Sequence, residues 1–492
     1  MRRILLLSLT IIVFGAIGTP AAWAQDQPQQ PQQPQPQKPL DQATPPIPAI
    51  RSPLASAAGN DDEDEVPQQL VPDTRALAGV QPLTVGGPAV VHRYWEPHLA
   101  FTSTVDSNPP TAGQQNGGWT NWSSVTGGVD IRQVSGSSDF TLNYIGGGSF
   151  SNQGGLGSSI VQEFGAVDRI AFRRETLTLI DQMNYLPEAA FGYSAFGTGF
   201  GLPGIGLQPG FGPSQSILTP EGQTITNVFA AELDTPLTPR SSISMVGSYN
   251  LLHYFDNNLL NSDGFAFQAG YNYLVSRKDT LAVFYRYNGF RYGNFNQSID
   301  GHSAQVSYGH RVTGRLAFQV GGGPQISISQ TPITGSVGAP VGAGGTGSFT
   351  HVYWTLTTGL SYQLRRVSLG LGYNHGISEG SGVFAGSIAD TFSGSASRQL
   401  SRTFFGSLNT GYSRNSGEVL VAKASANQVF DYVFVGGGLA HPWGRSMSLG
   451  LSYQMQYQTS SAPFCLGTAC QTSYFRNLIS FNLGWHKQPI PF

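Results

Sequence analysis

The sequence is poor in charge, in sulfur and in long apolar segments. Only 11% of the 492 residues are charged, with five Met and two Cys. After the N-terminal apolar run no stretch of about eighteen consecutive apolar residues occurs, which excludes a transmembrane helix. The hydrophobic content of 39% is low for the core of a large enzyme. From Glu96 onward 20 acidic and 20 basic residues balance, which argues against a nucleic-acid surface.

The first 93 residues contain two segments whose composition is not typical of folded protein. Residues 1–24 combine an Arg2-Arg3 start, an apolar run and an Ala22-Trp23-Ala24 end, which is typical of a cleaved secretory signal peptide. Residues 25–93 are rich in Pro and Gln and contain an acidic run at 61–65. Such a segment buries too little apolar surface to fold alone. We expect a disordered tether, which either only links or also binds peptidoglycan or a periplasmic partner.

The two cysteines lie close together near the C-terminus. Cys465 and Cys470 share one polar segment, and an exported chain crosses an oxidising compartment. The spacing therefore predicts a small disulfide loop. The alternative is a metal site, but neither a second Cys pair nor a nearby His completes the four ligands that zinc prefers. We expect no metal and no other cofactor.

Apolar and polar residues alternate through the remainder of the chain. From Val352 to Leu364, and again from Val367 to Tyr373, every second residue is apolar or aromatic. A period of two indicates strands with one apolar and one polar face. The predicted strands are centred on 97–105, 121–133, 138–150, 159–172, 174–186, 223–236, 240–255, 264–276, 279–292, 300–313, 315–329, 350–365, 366–377, 384–399, 401–415, 426–441, 444–459 and 473–486. This makes eighteen, an even number, with no helix to cover the apolar faces, so lipid is the covering phase.

The connections between the predicted strands alternate in length. Those after even strands are tight, as at 276–279 and 364–366, and most basic residues of the second region lie in or beside them. Those after odd strands are longer and rich in Gly, Pro and Asn, the longest being 187–222. Short turns at one rim and long loops at the other are typical of outer-membrane barrels. The basic rim is either simply solvated or favours anions through its field.

This pattern resembles the porin-like outer-membrane β-barrel proteins of Gram-negative bacteria. The resemblance covers about 95–492, and it includes an amphipathic last strand with Phe481 and Trp485 and a terminal Phe492. It implies an all-β, transmembrane antiparallel barrel of about 18 strands, inserted by the barrel-assembly machinery. The barrel would contact outer-membrane lipid and lipopolysaccharide, with the N-terminal segment and the C-terminus in the periplasm. The oligomeric state does not follow from the sequence.

If the apolar face meets lipid, the polar face lines the lumen. The expected wall is hydrated and mostly uncharged. The candidate lining residues are Glu232, Gln268, Asn272, Arg286, Gln305, His351, Thr355, Gln363, Gln454, Gln456, Arg476 and Asn482. The loop 187–222 either constricts the lumen or lies at the cell surface. Asp181 and Asp390 fall in the apolar phase, so we expect a β-bulge or a rim position, or else a subunit contact or a functional carboxylate.

The chemistry that these residues allow is passive transport rather than catalysis. His375 and Ser378 are three residues apart on one strand and point to opposite faces, so they cannot form a catalytic pair. No catalytic residue is predicted. The resemblance implies a channel for small hydrophilic solutes. The alternatives are a non-conducting structural or adhesive barrel, and a polysaccharide export conduit, which the weakly charged wall disfavours.

Overall fold

The computed structural model describes residues 77–78, 93–108, 119–151, 158–186, 216–219, 223–255, 259–293, 297–333, 345–364, 366–417, 428–466 and 469–490. The signal peptide, most of the tether, most of loop 187–222 and Phe492 lie outside these ranges. Within them no helix is long and apolar enough to cross a membrane.

Eighteen strands account for most of the described chain, one for each that the alternation predicts. They are β1 (Tyr94–Asp106), β2 (Thr120–Ser135), β3 (Ser138–Ser151), β4 (Ser158–Ala171), β5 (Thr176–Leu186), β6 (Thr224–Thr238), β7 (Ser241–Tyr254), β8 (Ser262–Leu274), β9 (Asp279–Tyr292), β10 (Gln297–Arg311), β11 (Leu316–Ile333), β12 (Gly345–Gln363), β13 (Val367–Ser378), β14 (Ser387–Gln399), β15 (Phe405–Gly417), β16 (Val429–Trp443), β17 (Met447–Leu466) and β18 (Ala469–His486).

The strands form one closed sheet. Each strand pairs antiparallel with its neighbours in sequence, and β1 pairs with both β2 and β18. Because every strand has a partner on both sides, the described sheet has no free edge strand, as a membrane-spanning sheet requires. Eighteen strands spaced about 4.8 Å apart and tilted by about 40° enclose a cylinder roughly 36 Å across. The prediction of an all-antiparallel 18-stranded barrel is confirmed.

The two faces of the barrel differ in chemistry. On β8, Phe265, Phe267 and Tyr271 are exposed on the outside, while Gln268 and Asn272 are buried on the inside. This reverses the arrangement of a water-soluble barrel, because the large apolar side chains point outward. One cross-strand row of outward residues on β13 to β18 runs Tyr373, Phe392, Tyr412, Val433, Tyr457 and Phe475. Outward apolar and aromatic side chains on successive strands are typical of the lipid-facing surface of a membrane barrel.

Candidate functional site in the barrel lumen

All twelve predicted lining residues lie in strands on the inward-facing phase. The side chains of Gln268, Asn272, Arg286, Gln305, Thr355, Gln456 and Arg476 are buried, those of Glu232, Gln363, Gln454 and Asn482 are half-buried, and His351 is exposed. His351 lies toward the long-loop end of β12, where its ring stacks on Tyr353 at 5.9 Å between centroids. Whether these residues contact a solute stays a prediction.

The inner wall is charged on one side and neutral on the other. Strands β1 to β6 place seven acidic side chains on the inward phase: Glu96, Asp106, Asp130, Asp139, Glu163, Glu232 and Asp234. On β11 to β17, the inward phase of the described strand residues carries no Asp, Glu, Lys or Arg. Of these acids, only Glu232 was predicted to line the lumen. The strand phase of β1 to β6 already contained this signal, which the expectation of an uncharged wall overlooked.

Two Arg residues on this wall are held by carboxylates. Arg476 Nε and Nη2 donate to Asp106 Oδ2 at 2.8 and 2.5 Å, and both side chains are almost fully buried. Arg132 makes a two-pronged contact with Asp139, at 3.0 Å from Nε and 2.8 Å from Nη2. Paired charge-assisted hydrogen bonds of this kind fix both partners. These two pairs neutralise four charges. The acids stay in excess, because the other basic residues on the inward phase of the described strands are Arg169, Arg286 and, at the rim, Arg311.

The end of loop 187–222 lies inside the barrel. Residues Ser216 to Thr219 are nearly inaccessible to solvent, and their backbone bonds to the inward side chains of β15 and β17. Ser413 Oγ donates to the Ser216 carbonyl at 2.7 Å. Gln458 accepts from the Leu218 amide at 2.6 Å and donates to the Leu218 carbonyl at 3.2 Å. The described part of this loop therefore narrows the lumen; residues 187–215 and 220–222 lie outside the description.

A second inward loop joins β13 to β14. Ser381 has a φ of 55°, which residues other than glycine rarely adopt. Its Oγ accepts from the Ser216 amide at 3.0 Å, and its carbonyl accepts from Tyr254 Oη at 3.0 Å. The Glu379 carbonyl accepts from Tyr292 Oη at 2.8 Å. The strained backbone at Ser381 thus sits where this loop connects the first loop to the wall of β7.

An apolar cluster crosses the lumen at the long-loop end. It contains Leu252, Tyr254, Phe430 and Tyr474 from the walls, with Ile217, Leu218, Leu259 and Phe384 from the loops. Strands β7 and β16 lie on opposite sides of an 18-stranded barrel, so wall residues alone could not meet across it. The two inward loops supply the side chains that fill the gap, and the lumen is closed at this level along the line from β7 to β16.

The two outward acids are stabilised in place rather than turned inward. The registers of β4 with β5, β5 with β6, β13 with β14 and β14 with β15 show no shift, so the expected bulge is absent at both positions. Asp181 accepts from Asn227 Nδ2 at 2.9 Å on the outer face. Asp390 accepts from Tyr373 Oη, and His375 Nδ1 contacts it, both at 2.7 Å. Neighbouring polar side chains thus satisfy each carboxylate.

The outward His375 does not meet a nucleophile. Its ring stacks on Trp354 at 3.7 Å, and Asp390 contacts its Nδ1. Ser378 lies on the opposite phase of β13, where its Oγ bonds to Ser387 at 2.7 Å. This arrangement agrees with the prediction that the two residues point to opposite faces. Among the described residues no group of three or more His, Cys, Asp or Glu is placed to hold a metal ion.

The two cysteines face each other in the hairpin between β17 and β18. The backbone register pairs Cys465 with Cys470 directly. Directly opposite residues have Cα atoms about 4.5–5.5 Å apart, within the range that a disulfide requires. The side chains lie outside the described part, so the disulfide stays a prediction.

Comparison with known proteins gives distant similarity to other barrels. Neither the family models nor the curated proteins contain a match to this chain. Among solved structures it is similar to OccAB3 of Acinetobacter baumannii, at 11% identity and a TM-score of 0.38 over 81% of this chain and 100% of that one. It is similar to the outer membrane protein OpdK of Pseudomonas aeruginosa, at 9% identity and 0.37 over 80% and 99%. For the ferric citrate transporter FecA the values are 7% and 0.40, over 83% and 81%.

Proposed function

We propose that this protein is an outer-membrane channel for passive diffusion of small hydrophilic solutes, narrowed by its own inward loops. The observation that carries the proposal is the inner face. It is lined by Gln, Asn, Ser and charged side chains inside a closed barrel whose outer face is apolar. A polar interior wide enough for side chains and loops forms an aqueous path once the loops move.

The inward loops make the channel selective. The Ser216–Thr219 segment is held to the wall by hydrogen bonds through Ser413 and Gln458, so opening must break them. Since each such bond contributes about 1 kcal/mol net, the closed state is favoured modestly rather than locked. A solute that offers its own donors and acceptors to Ser413, Asn415 and Gln458 would replace these bonds at little cost.

The uneven wall charge sets the preferred solute charge. Acidic side chains on β1 to β6 lie inside a low-dielectric cylinder, where fields are focused, whereas the basic rim is open to solvent and salt. We expect cations to be preferred. This opposes the sequence-based suggestion that the basic rim selects anions.

A non-conducting structural barrel is the second candidate. The apolar cluster from Leu252 and Tyr254 to Phe430 and Tyr474 favours it, because apolar side chains that meet across a lumen exclude water. A polysaccharide conduit finds less support, since the inward strand phase of β11 to β17 has no charged residue in the described chain.

Single-channel recording separates the two candidates. Purified protein in a planar bilayer should give discrete, brief openings with a cation-selective reversal potential. A barrel that stays silent under applied voltage, while its folded state is verified by heat-modifiable gel mobility, would refute the channel. The orientation with both termini in the periplasm, and contacts with lipopolysaccharide, the assembly machinery or peptidoglycan, belong to this proposal. Protease protection of the N-terminal segment in intact cells tests the orientation.

A further inference from the structure

Two residues of the N-terminal segment lie inside the barrel. Leu77 and Ala78 belong to the range predicted as a tether, yet Ala78 is completely buried. It packs against Ala282 and Phe284 of β9, with Leu77 beside it. This contact involves the half of β8 and β9 nearer the short turn, on the opposite side of the lumen from the Gln458 contact.

Side chains of β8 bond both backbone groups of Ala78. Asn272 Oδ1 accepts from the Ala78 amide at 2.9 Å, and Gln268 Nε2 donates to the Ala78 carbonyl. Gln268 and Asn272 are themselves buried. Together they satisfy the one backbone donor and the one backbone acceptor of this residue.

Charged groups orient these two amides. Arg286 Nε donates to Gln268 Oε1 at 2.6 Å, so the Gln268 Nε2 group points to Ala78. Asn272 Nδ2 donates to Ser244 Oγ at 2.9 Å, and Ser244 Oγ donates to Asp234 Oδ1 at 2.5 Å. The chain of bonds fixes Asn272 with its oxygen toward Ala78. Such pre-orientation lowers the entropy cost of binding a peptide backbone.

The surroundings admit only a small side chain at position 78. A Cβ placed on Gly270 would lie 2.5 Å from the Ala78 Cβ, and one on Gly309 would lie 3.3 Å from Leu77 Cδ1. The two wall glycines therefore make room for this dipeptide. Backbone recognition together with a small side-chain pocket is a built binding site rather than a chance contact.

We propose that Gln268 and Asn272 form a binding site for a peptide segment with a small central side chain, and that the chain's own Leu77–Ala78 occupies it. The occupied site narrows the lumen from the side opposite to the Ser216–Thr219 segment. Its consequence for conduction rests on the channel proposed above, but the binding itself does not.

Disulfide trapping in the full-length protein tests the binding. In a Cys465→Ser, Cys470→Ser background, Leu77→Cys is combined with Gly309→Cys on β10 of the near wall, or with Gly450→Cys on β17 of the far wall as the matched control. A Cβ at Gly309 would meet only the end of the Leu77 side chain, so a disulfide can form there without displacing the backbone. We expect the near-wall pair to oxidise at least tenfold faster than the far-wall pair in folded protein reconstituted in phospholipid vesicles. Equal rates, or a faster far-wall pair, would overturn the proposal.

Recording from the same variants tests the consequence. Opening should rise about tenfold in a Gln268→Leu, Asn272→Leu double variant, and in the near-wall disulfide protein when it is reduced. Those substitutions should also abolish the preference for the near-wall pair; an unchanged preference would refute the role of the two amides. If the near-wall disulfide forms but the double variant and the reduced near-wall protein both stay silent, the site is supported and the channel is refuted.

Discussion

Gln458 holds the inward end of loop 187–222, and its removal should open the lumen by a calculable amount. Its side chain is fully buried and makes two hydrogen bonds to the backbone of Leu218, of 2.6 and 3.2 Å. Gln458→Leu keeps much of the side-chain volume and removes both bonds. In the closed state the Leu218 amide and carbonyl would then be buried without these partners, whereas in the open state they meet water.

The expected size follows from hydrogen-bond energetics. Two bonds of about 1–1.5 kcal/mol each shift the balance between closed and open states by about 2–3 kcal/mol. Since about 1.4 kcal/mol is a factor of ten in an equilibrium constant, the open population should rise about 30- to 150-fold. Ser413 and Asn415 would still bond Ser216. The substitution leaves the backbone pairing of the eighteen strands intact, so the barrel itself should remain folded.

Two measurements check this shift. Open probability in planar bilayers should increase, and hydrogen exchange at the Leu218 amide should accelerate by a similar factor. Gln454→Leu is the matched control, because Gln454 shares the inward phase of β17 but makes no hydrogen bond to residues 216–219 in the described structure. If Gln458→Leu behaves like Gln454→Leu in both measurements, these two bonds do not hold the loop.

Three further predictions concern other parts of the barrel. Either Arg476→Met or Asp106→Asn should destabilise the barrel by about 3–5 kcal/mol, because each removes the partner of a buried charge. The double variant should recover most of this in guanidinium unfolding, and a fully additive double variant would contradict the pairing. Glu163→Gln with Glu232→Gln should reduce cation preference, measured as a reversal potential in a salt gradient, while Glu175→Gln in an exposed turn should not; an unchanged potential would place selectivity elsewhere. Alkylation of the unfolded, unreduced protein should leave Cys465 and Cys470 unmodified, and two added labels would disprove the disulfide.

Alternation along the chain was sufficient to predict the barrel. Which face of a strand a side chain occupies depends on the residues two positions away. Because one face of the sheet meets lipid and the other meets water, the assignment is unambiguous in segments such as Val352–Leu364. For the same reason the lining residues could be assigned strand by strand, including Gln268, Gln456 and Arg476. The uncharged-wall expectation missed Glu163 and Asp234 because it weighed average composition above the phase of β4 and β6.

The contents of the lumen were decided by tertiary structure alone. The sequence shows neither that Ser216–Thr219 reaches Gln458, 240 residues away, nor that Ala78 reaches Asn272 across 194 residues. Both contacts use backbone groups of irregular segments, which carry no periodic signal, and wall amides whose orientation depends on partners such as Arg286. The sequence by itself determined a barrel with an apolar outer face and a polar inner face. Only the folded chain determined that the lumen is partly filled by its own loops and its own N-terminal segment. Hydrogen bonds between residues that are distant in sequence leave no local pattern from which they could be predicted.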